Sequence, residues 1–144
     1  MTKVSAHDVA KYILKQAGGM TAMKLQKLLY YCQAWSLVWD EAPLFKEEIE
    51  AWANGPIISE IYQAHKGKFN ITSWKTGSIE KLNKTQKETI DKVLDFYNKK
   101  TGQWLSELTH RESPWKDARK GLLPGERGSA KISHASMAEY YSGL

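Results

Sequence analysis

Four histidines and a single cysteine are the residues of this sequence best suited to metal binding or nucleophilic chemistry. No two histidines have the His-x-x-x-His spacing that places a pair of zinc ligands on one helix face. The histidines are His7, His65, His110 and His134. Cys32 lies within an apolar stretch, where burial raises the pKa of a thiol and suppresses its reactivity. The spacing predicts no metal, no cofactor and no cysteine nucleophile, and leaves open only a site assembled from distant residues.

Pairs of carboxylates are the second group that could do chemistry, as a general acid and a general base. Glu47 with Glu50 and Asp91 with Asp95 are close in sequence, but the pattern places them on solvated faces, where most acidic side chains lie. No Gly-x-Gly-x-x-Gly, P-loop or Gly-x-Ser-x-Gly motif occurs, and residues 121–128 are too irregular to hold a phosphate. The acids and the glycines therefore predict no catalytic centre.

His110 is the histidine with the most informative surroundings. It ends a short predicted helix beside Arg111 and Glu112, where an imidazole can bond backbone carbonyls and favour the negative helix end. A structural latch is the favoured interpretation, and a partner contact or a catalytic base are the alternatives. A base would need an acid such as Asp8 brought near it by folding. Because the sequence offers no stronger candidate, we predict that the chain is not an enzyme.

Six tryptophans are candidates for anchors of a protein interface, where this residue is enriched. Four fit the inward faces of predicted helices, namely Trp35, Trp39, Trp104 and Trp115. Trp52 ends a predicted strand and fits either environment. Trp74 stands in a polar loop without periodic apolar neighbours, which indicates either an exposed anchor or a ring that tucks the loop down. We predict Trp74 as the exposed anchor.

The net charge of +5 suggests a nucleic-acid partner until it is divided along the chain. Residues 1–72 hold 8 Lys/Arg and 7 Asp/Glu, and residues 73–144 hold 13 and 9, with acids between the basic residues. This interruption favours a solvated face over a surface that follows a phosphate backbone. Acids are densest in Asp40, Glu41, Glu47, Glu48 and Glu50. We predict that Glu47 and Glu48 help to attract a basic partner, whereas nucleic acid is the alternative.

The hydrophobic periodicity predicts helices in the first third of the chain. Ser5 and Asp8 have capping-box spacing and open a helix that ends at residues 18–19. Thr21 can cap a second helix that is apolar on most of its circumference. Such a helix is usually buried, so we predict a central helix surrounded by the rest of the domain.

The later elements are shorter. Residues 45–52 alternate imperfectly and predict a strand, and residues 54–56 predict a turn with Pro56 at the first position of the next helix. Residues 67–84 are polar and predict a loop or an edge hairpin. A short helix is predicted around Trp104. Further helices are predicted to begin near Thr85, which has capping-box spacing with Glu88, and near Ser113 and Ser136.

The length and composition limit the number of domains and the class of protein. A chain of 144 residues with 42% hydrophobic residues is long enough for one core and predicts a single domain over residues 1–144. The lone cysteine, the lack of a signal-peptide pattern and the lack of a long apolar stretch indicate a cytoplasmic protein that does not use a membrane. The fold class is therefore mainly α, a compact helical domain around a buried central helix with a small extended or β-hairpin segment.

Three segments carry a resemblance to a known family. They are residues 23–31 (MKLQKLLYY), residues 50–56 (EAWANGP), and residues 108–110 (LTH) followed by Pro114-Trp115. In this order and spacing the sequence resembles the Panacea domain, a prophage-associated family that includes the SocA antitoxin.

The resemblance implies an antitoxin of a type II toxin–antitoxin system that neutralises a toxin encoded by an adjacent gene. It also implies, as an alternative, an adaptor that delivers the toxin to a ClpXP-type protease, and a nucleic-acid-binding accessory factor is a third possibility. The motif residues are expected to maintain the fold. The residues predicted to bind the partner are Trp74, Glu47, Glu48, Trp52 and His110.

Overall fold

The elements of the fold come from a computed structural model, which describes residues 2–144. The helices in this range are α1 (Ala6–Ala17), α2 (Ala22–Trp39), α3 (Ser59–His65), α4 (Lys84–Tyr97), α5 (Gly102–Arg111), α6 (Ser113–Ala118) and α7 (His134–Ser142), with a 3-10 turn at Ile79–Lys81. The strands are β1 (Met20–Thr21), β2 (Ile49–Trp52), β3 (Gly55–Ile57), β4 (Asn70–Ile71) and β5 (Lys131–Ile132). The prediction of a mainly helical domain with a small β-segment is confirmed.

Helix α2 lies at the centre of the fold. Its residues Leu25, Leu28 and Cys32 are fully buried, and α1, α4, α5 and α7 all pack against it. Burial raises the pKa of the Cys32 thiol, as expected for a thiol among apolar side chains. The predicted buried central helix is confirmed because an all-round apolar surface has no stable solvent-facing side.

Several helix ends follow from short-range hydrogen bonding. The Ser5 and Asp8 capping box opens α1, and the Thr21 side chain accepts a hydrogen bond from the amide of Lys24 at the start of α2. Two predicted start sites are wrong. Asn83 caps α4 instead of Thr85, and Ser133 caps α7 in place of Ser136, because in each case an extended residue upstream accepts the first amide hydrogen bonds.

The strand predicted within residues 45–52 is confirmed for β2, which forms a hairpin with β3. Trp52 pairs with Gly55 across this hairpin, and β5 pairs with the other edge of β2. The prediction of Pro56 at a helix start is wrong. Pro56 lies in β3, an edge strand where its missing N–H is tolerated, and α3 begins only at Ser59.

Gly55 is required at the start of β3 for two reasons. Its φ of +120° is a conformation that other residues rarely adopt, and a Cβ atom there would lie 2.5 Å from Cε of Lys27. The hairpin is therefore pressed directly onto the side chain of Lys27 in α2.

The segment predicted as a loop or edge hairpin, residues 67–84, is mostly irregular. Its strand β4 pairs antiparallel with β1, with Met20 opposite Ile71. This two-residue ladder holds the loop beside the start of α2, and the 3-10 turn packs against α1. The apolar side chains Ile71 and Leu82 of the loop thereby reach the core.

Candidate partner-binding surface

Trp74, predicted as an exposed anchor, is buried with 8% of its surface accessible. Its indole Nε1 donates a hydrogen bond of 3.1 Å to Nδ1 of His7, and the two rings stack with centroids 6.0 Å apart. The prediction of exposure is wrong and the alternative is right, because helix α1 supplies a polar aromatic partner that the local sequence does not reveal.

Glu47, predicted within an acidic surface patch, is also buried, with 8% of its surface accessible. Its carboxylate accepts hydrogen bonds from Ser5 Oγ at 2.6 Å and from the amide of Ala6 at 2.7 Å. The carboxylate thus accepts hydrogen bonds from donors at the N-terminus of α1, where a negative charge is favourable. Glu48, by contrast, is exposed and pairs with Lys131 at 2.7 Å.

We expect Glu47→Ala to lower the free energy of unfolding by about 2 kcal/mol, because a buried amide and a partly buried hydroxyl at a helix start would lose a charged acceptor. Urea denaturation monitored by circular dichroism measures the change. Glu48→Ala is the matched control and should leave the denaturation midpoint nearly unchanged, since its ion pair is solvent-exposed. Equal stability of the Glu47→Ala variant and the wild type would contradict this role.

Trp52 and His110, the other two predicted contacts, are joined through Trp115. The His110 ring stacks on Trp115 at a centroid distance of 4.0 Å, and Trp115 Nε1 donates to the backbone carbonyl of Trp52 at 2.8 Å. Burial and the positive charges of Lys27 and Arg119 lower the pKa of His110. His110 thus links α5 to α6 and, through Trp115, to β2, in agreement with a structural latch.

His110 differs from a simple cap in one respect. Its Nε2 atom is buried and has no hydrogen-bond partner among residues 2–144. Asp8, named as the acid for a catalytic base, has its carboxylate occupied by the amides of Ser5 at 2.9 Å and Ser78 at 2.7 Å. The carboxylate of Asp8 thus serves as a helix cap.

The structure reveals an apolar groove of about 690 Å³ that the sequence did not predict. Helices α2, α4, α5 and α7 border it. Its lining consists mainly of large apolar side chains, namely Trp35, Trp39, Val93, Phe96, Tyr97, Trp104, Leu108, Tyr140 and Leu144, together with Lys92 and Glu112. We call this set the aromatic groove.

Much of the aromatic groove is open to solvent. The exposed fraction is 44% for Trp39, 66% for Phe96, 38% for Trp104 and 72% for Leu144. These are four of the seven large hydrophobic residues that are exposed within the described part of the chain. The prediction that Trp39 and Trp104 face inward is therefore wrong, because the inner face of each helix is covered by a neighbour only in part.

The floor of the aromatic groove is rigid. Trp35 stacks on Trp39 at 5.0 Å, and its Nε1 donates a hydrogen bond of 3.0 Å to the Tyr97 hydroxyl. Beneath them, the hydroxyls of Tyr31 and Tyr141 donate to Oε1 of Glu112 at 2.6 and 2.7 Å. Burial raises the pKa of Glu112, and it raises that of Tyr97 to about 12. These hydrogen-bonded rings fix the shape of the groove before any partner arrives.

Two lysines border the aromatic groove. Lys92 Nζ lies 5.5 Å from the centre of the Trp39 ring, and Lys100 Nζ lies 4.6 Å from that of Trp104. Both distances are typical of cation–π contacts. The groove therefore combines an apolar floor with a positively charged edge. The sequence signal for it was Phe96, a large apolar residue of α4 that stands beside the predicted inward stripe of that helix.

Residues 2–144 contain neither a cluster of metal-binding side chains nor a membrane-spanning helix. No group of three or more His, Cys, Asp or Glu residues lies close enough to hold a metal ion. None of the described helices has the length and apolar character needed to cross a membrane.

A large, preformed aromatic groove on a helical domain is typical of a protein-binding module. Residues 25–116 match the family described as antitoxin SocA-like, Panacea domain. This match spans more than half of the chain, and the chain belongs to this family. No curated protein and no solved structure matches this chain. Trp39, Phe96 and Trp104 lie within the matched residues, whereas Leu144 lies outside them.

Proposed function

We propose that this protein is a cytoplasmic antitoxin that neutralises a cognate protein toxin by direct binding, as in a type II toxin–antitoxin system. Membership of an antitoxin family supports the role. The observation that carries the binding mode is the aromatic groove, which exposes Trp39, Phe96 and Trp104 on one surface. Burying such rings against a partner releases water from a large apolar area, the main source of affinity in protein interfaces.

The chemistry of the groove favours one kind of toxin segment. A cleft between helices accepts the apolar face of a further helix, because ridges of side chains can pack into it as they do in a helical domain. Lys92 and Lys100 border the cleft and would attract carboxylates at the edges of that face. We propose an amphipathic toxin helix with apolar residues towards the aromatic groove and acidic residues beside them.

Neutralisation would then be stoichiometric. When one toxin helix binds in the groove, the rest of the antitoxin lies beside the toxin. The antitoxin can then cover the toxin active site, or it can hold the bound helix in an inactive position. The rigid floor favours this mechanism, because little conformational entropy is lost from the groove on binding.

The test is a growth assay with the open reading frame next to this gene. We expect that induction of the neighbour alone arrests growth, that co-expression with this protein restores it, and that the two proteins co-purify from the rescued cells. A harmless neighbour would contradict the antitoxin role. Rescue without a complex would contradict direct binding, and rescue that disappears in cells lacking ClpXP would indicate proteolytic delivery instead.

A further inference from the structure

A second cavity, of about 650 Å³, lies on a different part of the molecule from the aromatic groove. Helices α2 and α3 and the β2–β3 hairpin form most of its wall, and residues 127–129 close one side. None of the residues in its lining is acidic, whereas Lys27, His65 and Arg127 are basic. Its volume falls in the range of sites for small organic molecules.

Lys27, in the floor of this cavity, has an unusual environment for a lysine. It is fully buried, and its Nζ donates a single hydrogen bond, of 3.1 Å, to the carbonyl of Pro56. No carboxylate pairs with it among residues 2–144, where the ion pair found joins Lys131 and Glu48. Because an ammonium group has three donors and is normally paired when buried, Lys27 leaves binding capacity unused.

The position of Lys27 is fixed from above by Gly55, whose backbone packs against Cε. Burial lowers the pKa of Lys27 to about 7. An anion placed in the cavity would favour the charged form and supply the missing negative charge.

Gln26 and His65 form the polar side of the cavity. The Gln26 side chain accepts from the amide of Ile58 at 2.9 Å and donates to its carbonyl at 3.2 Å. Its remaining amide hydrogen points to Nε2 of His65 at 3.1 Å, so this imidazole nitrogen is the acceptor and His65 is neutral. Burial first, and then the charge of Lys27, lowers the pKa of His65.

Aromatic rings form the adjoining part of the wall. Trp52 and Tyr62 lie with centroids 5.1 Å apart, and Tyr62 contacts His65 at 5.4 Å. The Trp52 ring is held in place by a hydrogen bond of 2.8 Å from its Nε1 to Glu50 Oε1. Rigid rings beside a basic floor suit a molecule with a flat body and a negative group.

We propose that this cavity binds a small planar organic anion, with its carboxylate or phosphate towards Lys27 and Arg127 and its flat body against Trp52 and Tyr62. The site is separate from the toxin-binding groove and does not depend on the proposed function. The motif residues 50–56, expected to maintain the fold, thereby also contribute to a ligand site. Trp52 and Asn54 are lining residues, and Gly55 and Pro56 position Lys27.

The experiment is isothermal titration calorimetry of the full-length protein at pH 6.5 with two pairs of probes. AMP and adenosine share a heterocycle and differ in the phosphate, and indole-3-acetate and tryptamine share an indole and differ in the charged group. We expect at least one anion to bind, and its uncharged or cationic counterpart to bind at least about tenfold more weakly. The anion that binds tells whether a phosphate or a carboxylate is preferred. Binding of neither anion at millimolar concentration, or equal binding of the counterparts, would overturn the proposal.

Variants locate the binding. Lys27→Met should weaken anion binding at least about tenfold, because it removes the buried charge while keeping the side-chain length. Arg127→Glu, on the exposed rim of the cavity, gives an independent test in case Lys27→Met does not fold, and it should weaken binding similarly. Lys131→Met removes a surface lysine outside the cavity and should leave the affinity unchanged. Unaltered binding by Arg127→Glu and by a folded Lys27→Met would assign the anion to another site and overturn the proposal.

Discussion

Replacing Trp39 and Trp104 together by alanine is expected to weaken toxin binding by a factor of at least about 100. Each ring lines the aromatic groove and retains a large exposed surface that a partner can cover. Truncating an anchor of this type costs about 2 kcal/mol or more, and 1.4 kcal/mol corresponds to a factor of ten in Kd. The two losses need not add in full, which makes 100-fold a lower estimate. Calorimetry with the toxin from the growth assay measures the change.

Controls for this variant come from exposed apolar residues elsewhere on the chain. Phe69 and Leu123 are 77% and 73% exposed and lie outside the aromatic groove. Phe69→Ala with Leu123→Ala removes a comparable amount of apolar surface and should bind the toxin as the wild type does. Circular dichroism of both double variants shows whether the fold is kept. If the Trp39 and Trp104 variant is folded and retains full affinity, the toxin contacts a different surface.

Those elements of the fold that depend on neighbouring residues could be predicted from the sequence. The capping box of Ser5 and Asp8 and the apolar circumference of α2 are short-range patterns, and both are present in the structure. Where several capping residues stand close together, the sequence does not choose among them. Asn83 and Thr85 are two residues apart, and only the backbone conformation at Asn83 decides that it is the cap.

The burial of the predicted contact residues depends on packing between distant segments, which explains why their exposure was predicted wrongly. Glu47 is buried because Ser5 and Ala6, about 40 residues earlier, donate to it, and Trp74 is buried because His7 lies beside it. Periodicity identifies residues that share a helix face, but it does not tell whether a neighbouring helix covers that face. Trp39 therefore fits an apolar stripe and yet lies in an open groove.

Lys27 is an example of a residue whose environment no local pattern discloses. In the sequence it is a polar position within residues 23–31, whereas in the structure it is fully buried beneath the β2–β3 hairpin. Its burial follows from the close approach of Gly55 and from the carbonyl of Pro56, both contributed by a distant segment. Gly55 and Lys27, which belong to two separate sequence motifs, thus contact each other in the structure.

Stability should therefore rise with pH in a way that depends on Lys27. The pKa of this lysine is lowered from 10.5 to about 7 in the folded state, so between these values the unfolded chain binds the proton more strongly. Each unit of pH in this window then favours the folded state by up to about 1.4 kcal/mol, and the gain between pH 7 and pH 9 is roughly 2 kcal/mol. Urea denaturation at pH 7, 8 and 9 measures it.

Two further groups titrate in this window. The lowered pKa of Lys24 adds to the rise in stability, whereas the raised pKa of Cys32 opposes it near pH 9, where the thiol of the unfolded chain ionises. The difference between the wild type and a variant without the Lys27 amine therefore isolates the contribution of Lys27. His65 and His110, whose pKa values are lowered, gain their stabilising effect with rising pH below about 6.5, and the buried tyrosines, whose pKa values are raised, reduce stability only above about pH 10.

Lys27→Met should remove most of the rise in stability between pH 7 and pH 9, because methionine keeps the apolar contacts of the lysine stem and does not titrate. The variant should exceed the wild type most clearly at pH 7 and below, where the wild type must bury an unpaired charge or release a proton, and the difference should narrow steadily from pH 7 to pH 9. Lys120→Met, at an exposed position, is the control and should retain the pH dependence of the wild type. A rise of equal size in the Lys27→Met variant would mean that another group carries the proton, and that the lysine beneath Gly55 is charged and satisfied as it stands.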